Sequence, residues 1–310
     1  MIAVVVLTYR PDPGVLERCV ASVIRSGDAD AVVVVDNGGH VSRDRLLTTV
    51  GAETGPDTVP TALEVLTPGD NLGYAGGMNV GIARAATLGA RAVALLNDDT
   101  CVGHGWLTAL AAVLDPADRI GAAQPKLLFA DRDPPIVNSM GVTVESNGCG
   151  VDIGYGEPDD GRFDTRREID VFTGGAVLLA ADFLVDTGGF DERYFLYYED
   201  VDLARRGSER GWRYVVEPKA VVWHIGRATT SREPSQYRFW QERNRLWCAF
   251  RHGSPPMVAR ALGRSLLRWG RHPRSSQGRA ILAGLAGARR GRSERRRGIT
   301  RAATEAGWPA

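Results

Sequence analysis

Three unbroken apolar runs, Ile2–Leu7, Ala31–Val35 and Ala92–Leu96, each stop at a polar tip, and no other feature restricts the chain's fold as much. Apolar runs without alternation read as strands covered on both faces, as in parallel sheets. A shorter run, Leu63–Leu66, reads as another strand, and helices are expected between them: one opened by the prolines at 11 and 13 and running through Val23, another from about Met78 to Leu88. Strand, helix, strand alternation predicts an α/β fold with a parallel central sheet and helices on both faces. Further on, the patterning predicts a helix over Gly105–Leu114, a strand over Gly121–Leu128, an irregular excursion over 131–170, strands over Trp212–Glu217 and Ala220–His224, and a helix over Gln236–His252.

The strand tips carry the chemistry. Ala92–Leu96 ends in Asn97-Asp98-Asp99, and because ligands bind outside the carboxyl ends of strands in open α/β sheets, Asp98 and Asp99 are placed to hold a hard divalent cation. By itself such a triplet is equally a solvated turn with a helix cap. Asp36 stands at a second tip. The stretch Asn71-Leu-Gly-Tyr-Ala-Gly-Gly-Met-Asn79 is neither a dinucleotide fingerprint nor a Walker motif, but before a helix N-terminus its backbone N–H groups can approach a ligand. Glu199-Asp200-Val-Asp202 puts three carboxylates at a helix start, more than a cap needs, and one of them can serve as a general base. His224 ends an apolar strand. A lone histidine is usually structural, yet this position makes it a candidate metal ligand with Asp99, in a mixed imidazole and carboxylate set that suits manganese or magnesium. Arg243-Asn244-Arg245 faces either a diphosphate or water.

With 310 residues, 44% hydrophobic and 24% charged, the chain has ample material for a folded core. Its four cysteines form no Cys-x-x-Cys pair, which argues against a disulfide framework or a zinc site. No charged leader precedes the strand at Ile2 and no apolar run reaches membrane-spanning length, so the expectation is a cytoplasmic protein. The net charge of +1 conceals an asymmetry: Arg260 to Arg301 holds thirteen arginines and one acid, a charge of +12 that leaves −11 on the rest. Within it Arg260, Arg264, Arg268 and Arg271 share one helical face, and Val258, Leu262, Leu266 and Trp269 the other. Such a helix suits an anionic membrane surface or packs on the domain with a solvated face, and Arg289–Arg301 is expected to be disordered.

Together these stretches resemble the inverting family 2 glycosyltransferases of the GT-A fold, over roughly residues 2–252. The residues that carry the resemblance are Thr8-Tyr9, Val35-Asp-Asn-Gly38, the Asn71–Asn79 stretch, Leu96-Asn-Asp-Asp-Thr100, and Thr173-Gly-Gly175 through Gly188-Gly-Phe-Asp191 to Tyr198-Glu-Asp-Val-Asp-Leu203. The resemblance implies a GT-A domain over 1–252, with a Rossmann-like, mostly parallel sheet, followed by a basic helical segment over 253–310. It implies that Thr8, Asp36, Asn71 and Gly73 bind the nucleoside, with Arg10, Asn79 and Asp98 as further donor contacts. Asp99 would be the metal-binding end of the Asp-x-Asp motif, His224 would complete the site for Mg2+ or Mn2+, and Asp200, with Glu199 beside it, would occupy the base position. Asn97 replaces the first aspartate of that motif, and Arg10 stands where asparagine is frequent. Within the family the likeness is to bacterial rhamnosyltransferase-type enzymes of cell-envelope polysaccharide assembly. The implied reaction moves a sugar from a nucleoside-diphosphate donor, such as dTDP-rhamnose, to a glycan or polyprenyl-linked acceptor; nucleic acid is not an expected partner. The rivals are a sugar nucleotidyltransferase, which would want a glycine- and arginine-rich loop after the first strand, and a non-catalytic binding module.

Overall fold

The computed structural model of the protein describes residues 1–12, 14–54, 62–225, 234–271 and 276–291. Its first half alternates β1 (Ile2–Thr8), α1 (Val15–Ser26), β2 (Ala31–Asp36), α2 (Arg43–Thr54), β3 (Leu63–Leu66), α3 (Gly73–Thr87) and β4 (Ala92–Asn97). There follow β5 (Thr100–Val102), α4 (Trp106–Ala111), β6 (Ile120–Phe129), the short strands β7 (Val137–Ser139), β8 (Val142–Val144), β9 (Gly150–Asp152) and β10 (Arg167–Ile169), then β11 (Ala176–Ala180) and α5 (Ala181–Thr187). The chain closes with α6 (Glu199–Ser208), β12 (Arg213–His224), α7 (Pro234–His252), α8 (Pro255–Arg271) and α9 (Gln277–Gly291).

The main sheet runs β10-β12-β6-β11-β4-β1-β2-β3, and β8 pairs with β9 apart from it. Strands β3, β2, β1 and β4 are parallel, as are β6 and β12, while β11 runs against both of its neighbours. The expected α/β fold is therefore present, with one reversed strand in its centre. Alternation along each strand explains the unbroken apolar runs. Ala3, Val5, Val33 and Leu95 pack under α3, whereas Val4, Val6, Val34 and Leu96 pack under α1, so each strand buries both of its faces. Truncating a fully buried Leu95 to alanine would cost about 2–5 kcal/mol.

Several boundaries differ from expectation, each for a local reason. Helix α2 has few apolar residues, burying Leu46 and Val50, and so gives little periodic signal. The two strands expected around Pro218 are one strand, β12. Its register with β6 shifts between Glu217 and Val221, which accommodates a residue with no N–H to donate. The Gly-rich stretch is not a loop. Helix α3 begins at Gly73, and a Cβ at Gly77 would come 2.5 Å from Leu7 Cδ1 and 2.7 Å from Asn37 Nδ2, so glycine there serves close helix-to-sheet packing.

After α7 the chain folds back on itself. Trp247 Nε1 donates to Ala283 O at 3.1 Å, and Leu246, Ala249, Ala261 and Ile281 form a small core shared by α7, α8 and α9. The stretch expected to be disordered begins inside α9, which runs to Gly291; from 292 onward it lies outside the described residues. No helix among the described residues is long and apolar enough to cross a membrane.

Candidate active site

Because β11 opposes both β4 and β6, and β12 is parallel to β6, the carboxyl ends of β1, β2, β4 and β12 share one edge of the sheet. There they frame a cleft of about 520 Å³. Strand β1 lies between β2 and β4, the point where chain order reverses and where α/β sheets open a crevice. Thr8, Tyr9 and Arg10 line the cleft from β1, Asn37 from β2, Asn71, Gly73 and Tyr74 from the start of α3, Asn97, Asp98 and Asp99 from β4, and His224 from β12.

Strand pairing sets Asp99 and His224 together. His224 lies opposite Thr100 in the β12–β5 register, and Ile225 N donates to Asp99 O at 2.9 Å. His224 Nε2 is 3.0 Å from Asp99 Oδ1, while its Nδ1 is 3.1 Å from Asn138 Oδ1 on β7. Asp98 turns the other way and accepts from Thr8 Oγ1 at 2.5 Å; burial pushes its carboxyl up to about 6 in spite of that bond. Among the described residues no three His, Cys, Asp or Glu side chains close around a metal position. Two protein donors fit a hard ion that takes its remaining ligands from phosphate oxygens and water. They do not make a self-sufficient protein cage.

At the other end of the cleft, Asn71 Oδ1 accepts from Gly73 N at 2.9 Å and Asn37 Nδ2 donates to Gly73 O at 2.7 Å, while buried Asn37 Oδ1 has no protein partner. Gly73 has φ 70°, and a Cβ there would collide with the Phe195 carbonyl and ring. The Arg10 guanidinium sits 5.1 Å from the Tyr9 ring centroid. Two expected donor contacts are used elsewhere. Asp36 is fully buried and holds its own turn, Oδ1 accepting from Gly38 N and Gly39 N and Oδ2 from Val41 N; its neighbour Asn37 faces the cleft in its place. Asn79 ties α3 to the Gly-Gly-Phe-Asp segment, bonding both N and O of Phe190, and does not line the cleft. The backbone N–H groups of Gly73 and Ala75 are likewise taken, by Asn71 and Phe195, which leaves less of the helix start for a ligand than the glycines suggested.

An aromatic wall closes the cleft from above: Phe195 and Tyr197, with Tyr237 and Trp240 of α7. The Phe195 and Trp240 rings are 4.6 Å apart. Phe195, Tyr197 and Tyr198 all have φ between 65° and 71°, a conformation that non-glycine residues adopt only when the surroundings impose it. Asn244 imposes it. Its Nδ2 lies 2.8 Å from the carbonyl oxygens of Tyr194, Leu196 and Tyr197, its two N–H groups shared among the three. The triplet expected to face a diphosphate or water does neither: Arg243 lies over the Trp247 ring and bonds Tyr194 O, and Arg245 is buried against Glu242 and Ser265.

The three carboxylates at the start of α6 divide into three roles. Asp202, which burial alone would raise, is held well below the usual range by Arg206, His252 and Arg251 and is structural. Glu199 is buried, with Oε2 unpartnered, and burial with the nearby Asp200 pushes its carboxyl well above the ordinary range, so it is a neutral acid. Asp200 is half-buried, accepts from Gly174 N at 3.0 Å and from Val201 N at 2.7 Å, and burial pushes it up to about 6. It does not line the cleft itself, but it is joined to it through Gly174 and Gly175, whose carbonyl accepts from Asn97 N. Asp152 of β9, raised by burial, acts electrostatically on Asp200 and feels His224. Nothing in the local sequence marked Asp152 or Asn138, and Asn244 stood out only as part of the Arg243–Arg245 triplet, with a different role; the three-dimensional pairing identifies all three.

Comparison with known proteins gives the family and the fold. A family model described as glycosyltransferase like family 2 matches residues 1–248. The N-acetylglucosaminyl-diphospho-decaprenol L-rhamnosyltransferase of Mycobacterium tuberculosis is 28% identical over 260 residues, covering 76% of this chain and 80% of that one. An uncharacterized Mycobacterium bovis protein is 30% identical over 226 residues, covering 71% of this chain and 72% of its own. Among solved structures, a Pyrobaculum calidifontis mannosyltransferase in complex with GDP-Man and Mn2+ superposes with TM-score 0.54 at 18% identity, over 98% of this chain and 77% of that one. Staphylococcus aureus TarS 1-349 gives TM-score 0.50 at 16% identity, over 85% and 71%. The fold and the matched residues make this chain a member of glycosyltransferase family 2, with the GT-A architecture.

Proposed function

We propose that the protein transfers a sugar, with inversion, from a nucleoside-diphosphate donor to a hydroxyl of a polyprenyl-diphosphate-linked glycan, and that dTDP-rhamnose is the donor. The observation that carries this reading is the convergence of Asp99 and His224, 3.0 Å apart, on a cleft that Thr8, Arg10, Asn37 and Asn71 also line. The name of the mycobacterial relative supports the sugar and the lipid-linked acceptor.

In this reading the acceptor oxygen attacks the anomeric carbon on the face opposite the leaving group, the bond to the diphosphate breaks, and Asp200 takes the hydroxyl proton. A carboxylate that titrates near 6 is ionised at neutral pH yet basic enough to share a proton. Mg2+ or Mn2+, bound by Asp99 and His224 together with the diphosphate, would neutralise the charge that develops on the leaving group. Thr8, Arg10, Asn37 and Asn71 orient the nucleotide, and the aromatic wall keeps water from the anomeric carbon. The place of work is the cytoplasmic face of a membrane that holds the acceptor.

A panel of nucleotide-sugars, with and without manganese and with a polyprenyl-diphosphate N-acetylglucosamine acceptor, tests the proposal. Metal-dependent release of the nucleoside diphosphate with inverted product is expected. With pyrophosphate added, formation of a nucleoside triphosphate and a sugar 1-phosphate would instead make the protein a nucleotidyltransferase, and no turnover of any donor would reduce it to a binding module.

A further inference from the structure

Helices α8 and α9 present a surface that neither the cleft nor the small helical core explains. Ala261 and Ser265 of α8 are buried against α7, and Val258 and Leu262 are partly covered beside them. The apolar face expected to run from Val258 to Trp269 is therefore split. Its far end stays in solvent: Leu266 is 51% exposed and Trp269 43%, and Leu267, on the arginine side of the helix, is 68% exposed. The stripe continues onto α9, because a Cβ at Gly278 would meet Trp269 Nε1 at 3.0 Å, and Leu282 and Leu285, four and seven residues on along the same helical face, are exposed as well. Arg260, Arg268, Arg271 and Arg279 are exposed around it. Between 255 and 271, and again between 276 and 291, the sequence contains no acidic residue.

We infer that this face docks on an anionic lipid bilayer. The inference rests on the proposed function only in that a polyprenyl-linked acceptor lies in such a membrane. Large exposed apolar side chains on helices that also expose arginine and carry no carboxylate to repel phosphate match the acyl and headgroup boundary of a bilayer, and an indole suits that depth. Long arginine stems let the leucines enter while the guanidinium groups stay at the phosphates. Charge complementarity favours lipid over an ordinary protein surface, and the contiguous leucines favour it over nucleic acid, which offers no apolar layer of this kind. The same three-helix unit carries Tyr237 and Trp240 on α7, so a docked α8–α9 face fixes the cleft relative to the lipid.

The test is flotation of the full-length protein with vesicles of phosphatidylcholine containing phosphatidylglycerol, beside vesicles of phosphatidylcholine alone and a fluorescent RNA. The expected result is binding to anionic vesicles that falls about tenfold or more in the variant Leu266→Ser, Leu267→Ser, Trp269→Ser and similarly in Arg260→Glu, Arg268→Glu, Arg271→Glu, with a blue shift of tryptophan emission on binding that the first variant diminishes. Anionic vesicles bound equally by wild type and the apolar variant would overturn the inference, as would RNA binding that survives where vesicle binding does not. Nucleoside-diphosphate release measured alongside, with a detergent-solubilised acceptor, separates the two proposals: intact turnover without vesicle binding removes the docking face alone, and vesicle binding without turnover removes the transferase reading alone.

Discussion

Asp200 and Asp99 divide the chemistry at the scale of single residues, and each can be removed without changing its shape greatly. Asp200→Asn keeps one of the two bonds from Gly174 N and Val201 N and loses the proton acceptor, so a fall of about 10²–10⁴-fold in kcat with little change in donor affinity is expected. In the wild type, kcat should rise with pH through about 6, because the base must be ionised to act. Asp152 raises that value through its charge, so Asp152→Asn should move the acid limb to lower pH. A limb that stays in place, or full activity in Asp200→Asn, would take the base role away from Asp200. Glu199→Gln is the control: a buried neutral acid replaced by its amide should leave the pH limb where it is. For Asp99→Ala, calorimetry should show nucleoside diphosphate binding that no longer depends on manganese. If metal-linked affinity survives, the Asp99–His224 pair is a structural hydrogen bond and nothing more.

The segment 194–198 and helix α7 form a second level, where one amide holds a strained loop. Asn244→Ala would leave the Leu196 and Tyr197 carbonyls without this donor, Tyr194 O keeping Arg243, at a cost of about 1–3 kcal/mol, and would free Phe195 and Tyr197 to leave their left-handed conformations. The donor KM should rise and amide exchange over 194–198 should quicken; unchanged exchange would show that the aromatic wall holds itself. This level is also where the sequence was least legible. Strand runs such as Ala92–Leu96 announce themselves because burial on both faces leaves no polar position, and their tips follow from topology, which is why Asp98, Asp99 and His224 could be placed from pattern alone. Side-chain destinations do not follow. Asp36 and Asn37 are adjacent at one strand tip, and only the turn geometry decides that the first binds backbone and the second faces the cleft. The glycines of α3 likewise read as a loop because their reason is the nearness of Leu7 and Asn37, which are distant in sequence.

At the scale of the whole molecule, a buried cluster of charges joins α7 to α6. Asp202 of α6 accepts from Arg206, and from Arg251 and His252 at the end of α7, while His252 also reaches Glu209. Burial alone would lower the His252 pKa, but its bonds to Asp202 and Glu209 win and raise it above the ordinary 6.5. A histidine whose folded value is raised contributes stability that is fully present below its unfolded value and is lost as pH climbs through the folded one. Asp202 has the opposite dependence: its folded value is depressed, so its contribution is present above about 4 and fades only in acid. Asp200, raised by burial, loses its contribution between about 4 and 6. The loss above about 6.5 therefore belongs to His252 and to the buried Glu199, whose folded value is also raised, and not to Asp200 or Asp202. Thermal unfolding should show a midpoint that declines as pH rises above about 6.5, by a few degrees for a contribution on the order of 1–2 kcal/mol. His252→Gln can still donate one hydrogen bond but cannot titrate, so its midpoint should be lower at pH 6.5 and fall less steeply than that of the wild type as pH rises. A variant that keeps the wild-type slope would place the alkaline loss elsewhere and leave the clasp between α6 and α7 to the two arginines.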